Sequence, residues 1–167
     1  MSIRFRLVGA AAVVLLVGVA SAAEKKIKRS DLPPAVEKTV QQQSQGATIN
    51  GFSMDTEKGK VEYEAEMTVG GHGKDVSIAK DGTVLSIEEE VAIDTLPAAA
   101  KSALLSRAGT AKIVKVEALS KGGKITSYEA STLKGTKKGE VAVGPNGRGP
   151  QRSPGQRDLR PRSYLGP

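Results

Sequence analysis

From Val61 to Met67 the chain alternates without a break, with Val61, Tyr63, Ala65 and Met67 on one side and Glu62, Glu64 and Glu66 on the other. Period-two alternation specifies a strand with one dry face and one wet face. The next residues extend the pattern. Gly70-Gly71-His72-Gly73 reads as a loop in which positive φ costs little. Asp75 to Lys80 reads as a second strand, with Val76 and Ile78 inward. Asp81-Gly82 is a two-residue hairpin signal, and Thr83 to Ile87 returns as a third strand.

A degenerate copy follows. Tyr128-Glu129-Ala130, Val141 and Val143, and Asn146-Gly147 match Tyr63-Glu64-Ala65, Val76 and Ile78, and Asp81-Gly82, all at an offset of 65 residues. Tyr63, Tyr128, Gly82 and Gly147 are the markers of this equivalence. Leu96-Pro97 matches Leu32-Pro33 at an offset of 64. Each Leu-Pro opens a helix reading, with stripes Leu32, Val36, Val40 and Leu96, Ala100, Leu104 at i, i+4, i+8. Ser30 or Asp31 is the expected cap of the first helix and Asp94 or Thr95 of the second. Gly46 and Gly109 are the expected stops. Thr48 to Asp55 reads as a strand ahead of Glu57-Lys58-Gly59-Lys60. Lys112 to Leu119, Ile125 to Leu133 and Gly139 to Val143 are its later counterparts.

The expected fold is therefore α+β: two tandem helix-plus-antiparallel-meander units, with the helices packed on one face of the sheet. The units span residues 31–93 and 94–148, the second truncated and lacking its last strand. Residues 23–30 read as a basic lead-in. Residues 149–167, rich in Pro, Gly and Arg, read as a disordered tail. The break falls where the first copy continues as a strand, so either a shift of reading frame or a genuine basic tail accounts for it.

Residues 1–22 have the form of a secretory signal peptide: Arg4 and Arg6, an apolar run from Leu7 to Ala20, and a small-residue site with cleavage between Ala22 and Ala23. The run falls short of the ~20 residues a membrane-spanning helix needs, so no stable anchor is expected after cleavage. Cysteine is absent, which suits a bacterial periplasmic or secreted protein that relies on its own core. The net charge of +7 comes mostly from the two ends, with +2 from the signal and +4 from Pro145 onward. The body carries +1 and offers no case for nucleic acid as a partner.

Catalytic chemistry has little to stand on. Without cysteine there is no thiol nucleophile, and His72, the single histidine, has no second histidine with which to ligate a metal. Set between glycines, it reads as a solvated loop residue. No cofactor is expected. Glu62, Glu64 and Glu66 could offer oxygen ligands to a cation such as Ca²⁺; against that stands a plain wet sheet face whose charges discourage aggregation. Tyr63 and Tyr128 fall on the apolar side of the alternation and read as core. The arginine tail lacks the aromatics and helical face of a phosphate-binding or lipid-binding element.

The order Leu-Pro, short helix, Gly, Tyr-Glu-Ala strand, Asp-Val-Ser-Ile strand and Asp-Gly turn resembles the PepSY and PepSY-like families, related to β-lactamase inhibitor protein-like modules. The likeness covers about residues 32–148. It implies an exported α+β module without catalytic residues, binding or inhibiting a peptidase or another periplasmic protein. The alternative expectation is a periplasmic cation-binding or sensing protein that uses the Glu-rich face.

Overall fold

The computed structural model describes residues 24–57 and 59–149. The signal segment with Ala22 and Ala23, and all of the tail beyond Gly149, lie outside the described residues.

Eight strands form one antiparallel sheet in simple sequence order. They are β1 (Lys25–Ile27), β2 (Ala47–Glu57), β3 (Lys60–Val69), β4 (His72–Ala79), β5 (Val84–Glu90), β6 (Lys112–Lys121), β7 (Lys124–Lys134) and β8 (Lys137–Val143). Helix α1 (Pro34–Gln43) connects β1 to β2, and α2 (Ala98–Ala108) connects β5 to β6. This overturns the expectation of two helix-plus-meander units. The sheet runs unbroken through the middle of the chain, where β5 pairs with β6 from Ile87↔Ser120 to Glu90↔Glu117. The physical reason is the cost of strand edges. Two separate meanders would each expose unpaired backbone donors and acceptors, and joining them satisfies one pair of edges.

Two further expectations are corrected. Residues 25–27 belong to the sheet, not to a flexible lead-in: Lys25↔Met54, Lys26↔Ser53 and Ile27↔Phe52 pair antiparallel. Three residues are too few for alternation to announce, and this strand exists because β2 offers it an edge. The proposed caps also miss. Ser30 and Asp31 lie in a 3-10 turn, Arg29–Asp31, while Asp94 and Thr95 lie in another, Ile93–Thr95. The helices begin later because a residue ahead of proline is driven from helical to extended backbone. Leu32 has ψ 135° before Pro33, and Leu96 has ψ 151° before Pro97.

Both helices cover the same face. Val36 and Val40 of α1, with Leu32, pack on Phe52, Tyr63, Ala65, Met67, Val76 and Ile78. Leu96, Ala100 and Leu104 pack on Val116, Ala118, Tyr128, Ala130 and Val143. Tyr63 and Tyr128 are thus core residues, as their parity predicts. The two glycine turns touch the helices from below. A Cβ on Gly82 would stand 2.7 Å from the Ala35 carbonyl oxygen, and one on Gly147 would stand 2.5 Å from that of Ala99. Both glycines have positive φ, 88° and 76°, so absence of a side chain is required twice over. The first hairpin turn is tighter than expected: Gly70 and Gly71 make it, and His72 already pairs with Val69 at the start of β4.

Candidate binding face

The strand face opposite the helices gathers the carboxylates. Alternation puts Glu62, Glu64 and Glu66 there on β3, and the registers add residues from every following strand. Glu66 stands opposite Asp75, and Asp75 opposite Glu88. Glu90 stands opposite Glu117, and Glu117 opposite Glu129. On β8, Glu140 faces Ser131. The β7 strand alone, with Ser127, Glu129 and Ser131, hides this continuity, because its neighbours supply the acids it lacks. Asp75, Glu117 and Glu140 were missed for that reason. Applying strand parity to each hairpin in turn would have placed Asp75 beside Glu66.

The face is shielded in places. Ser53, Ser127 and Leu119 point away from both helices, yet they are 1%, 2% and 5% exposed. Burial also raises the acids. Burial, then the charge of Asp75, lifts the Glu64 carboxyl to about 7. Burial, then Glu129 and Glu117, lifts Glu88 to about 7. Burial, then a hydrogen bond with Glu129, does the same to Glu140. Asp75 is raised as well, by burial first and Glu117 next. Two lysines answer on this face, Lys26 paired with Glu66 and Lys115 with Glu117 at 2.7 Å. At the β6–β8 end lies a hollow of ≈ 550 Å³, bounded by Val114, Leu133, Lys138 and Glu140 among others. Val114 and Leu133 are exposed there.

Of the three glutamates weighed as cation ligands, the fold brings two together. Glu64 and Glu66 converge with Glu24 so that one carboxylate oxygen of each lies within 4.8 Å of the others, while Glu62 is not part of this group. His72 is exposed and begins a strand.

A single antiparallel sheet with both helices on one face is an arrangement shared with solved structures. A BLIP-like protein from Bacteroides fragilis superposes with a TM-score of 0.52 at 22% identity, over 70% of this chain and 81% of that one. A protein from Bacteroides eggerthii taken to be periplasmic gives 0.57 at 16%, over 70% and 84%. A DUF2874 family protein from Bacteroides uniformis gives 0.55 at 13%, again over 70% and 84%. At these identities the likeness is one of fold. No protein-family model matches the chain, and no curated protein does.

Proposed function

We propose that the chain is an exported, non-enzymatic, PepSY-like binding module that takes a protein partner on its bare sheet face, a peptidase being one class of partner. The single observation that carries this reading is the face itself: eight strands wide, left bare by both helices and dense in half-buried carboxylates. Charged groups held partly out of water favour a partner that supplies opposite charge. Export rests on the signal-like residues 1–22 and on the periplasmic assignment of fold relatives. The lack of enzymatic activity rests on the family resemblance and on the missing cysteine and paired histidine. A photo-crosslinking side chain at Ser77, on the bare face, should capture a periplasmic protein in cells. The same group at Ser102, exposed on α2, should not. Equal capture from both positions would count against this assignment of the face.

A second reading, a cation sensor or buffer, draws on the convergence of Glu24, Glu64 and Glu66. Lys26 already sits on Glu66 and supplies the charge a cation would bring. If the site serves a cation, Lys26→Gln should tighten calcium binding in calorimetry; no heat from either protein removes the reading.

A further inference from the structure

The bare face has a candidate occupant in the same polypeptide. Glu64, Asp75, Glu88, Glu129 and Glu140 have no ion pair with lysine or arginine among the described residues. Residues 150–167 carry Arg152, Arg157, Arg160 and Arg162 against one acid, Asp158. They follow directly on β8 and its closing turn, at the sheet edge nearest Glu140 and the hollow. We propose that this arginine-bearing segment docks across the bare acidic face of its own chain, its arginines on the carboxylates and its apolar end, Tyr164-Leu165, in the hollow beside Val114 and Leu133.

Reach permits it. Extended, residues 150–167 span up to ~60 Å, and the five strand spacings from β8 back to β3 amount to about 24 Å. Arginine suits the acceptors, since its guanidinium binds carboxylates through paired donors and tolerates partial burial. Tethering favours this occupant over a free one, because a short linker holds the segment at an effective concentration on the order of millimolar. A second copy placed face to face would oppose acid to acid. The docking needs no external partner, so it stands or falls apart from the function proposed above. Where such a partner exists, the segment becomes its competitor.

The absence of cysteine makes the test direct. The full mature chain carrying Ser163→Cys, tagged with a nitroxide, should broaden the backbone amide resonances of Glu88, Glu117 and Glu129 by at least half, and leave those of α2 sharp. Raising the salt to 0.5 M should restore the signals, as screening weakens the pairing. Replacing Arg152, Arg157, Arg160 and Arg162 by Ser should restore them at low salt. Broadening that is uniform, that falls on the helix side, or that survives loss of the arginines would overturn the proposal. So would broadening seen only between labelled and unlabelled molecules in a mixed sample.

Discussion

Asp75 and Glu88 stand directly opposite one another on β4 and β5, two carboxylates in paired positions on the sheet face that the helices leave bare. Like charges so placed destabilise a sheet, and burial adds to the cost. The folded chain therefore holds protons that the unfolded chain releases. Glu64, Glu88 and Glu140 titrate at about 7 when folded, above the usual glutamate value near 4.3. With the folded value raised, the stability from binding these protons is present in full below about 4.3 and is lost as pH rises through 7. Glu37 and Asp94 act in reverse. Arg29 and Lys101 hold them low, so they withdraw their support only under stronger acid. Thermal unfolding across pH 3–9 should show a maximum near pH 5 and a falling limb that flattens above pH 8. A Tm that rises from pH 5 to 8 would contradict the electrostatics of this face.

Removing one charge from the row isolates the same effect. Glu88→Gln keeps the shape and deletes the repulsion. At pH 8 it should raise stability by about 1 kcal/mol, after allowance for solvent screening of a half-exposed site. That amounts to about 3 °C in Tm for a domain of this size. Near pH 3.5, below the unfolded value near 4.3 so that both states hold the proton, the gain should vanish. Paired melting curves of the two proteins at the two pH values check this.

The turn glycines offer a test of packing. Gly82→Ala places a methyl against the Ala35 carbonyl and forces positive φ on alanine, so it should cost about 2–4 kcal/mol. Gly147→Ala, against Ala99, should behave alike. Gly46→Ala has positive φ but nothing within 4 Å, and should cost only about 1 kcal/mol. Urea unfolding of the three variants ranks them.

The helix that carries the second core can be checked at adjacent positions. Leu104 is fully buried and Leu105 is 49% exposed. Leu104→Ala should lose about 2–5 kcal/mol, and Leu105→Ala should stay within about 0.5 kcal/mol. Comparable losses at both would mean that α2 is rotated from the position described.

These same residues show where local sequence suffices. The i, i+4, i+8 stripes identify Val36, Val40, Ala100 and Leu104 as core, and period-two parity does so for Tyr63 and Tyr128, because each signal depends on neighbours within a few positions. β1 and the β5–β6 join were not legible: their hydrogen bonds link segments whose pairing no local pattern encodes. The acidic face was legible only on β3. Its remainder depends on register, and in three places beyond β3 register is shifted, at Ile113/Lys115, Leu119/Ser120 and Ser77/Ile78. Val114, apolar yet 54% exposed, sits in the first of these.

Thr39 shows how far the two hairpin contacts differ. Its hydroxyl donates to the Gly82 carbonyl at 2.6 Å, tying α1 to the turn below it. The corresponding residue of α2 is Ala103, whose methyl would lie 3.4 Å from a Cβ on Gly147. The second turn is thus held to its helix by contact alone, the first by contact and a partly buried hydrogen bond. Thr39→Val keeps the volume and leaves the Gly82 carbonyl without that donor, for a loss of about 1–2 kcal/mol. The effect should be local before it is global. The Gly82 amide, bonded to the Ala79 carbonyl at 2.8 Å, should exchange with deuterium several-fold faster, and the Gly147 amide, bonded to Gly144 at the same distance, should not change. Equal acceleration at both amides would mean that the bond supports the whole sheet, not this one turn.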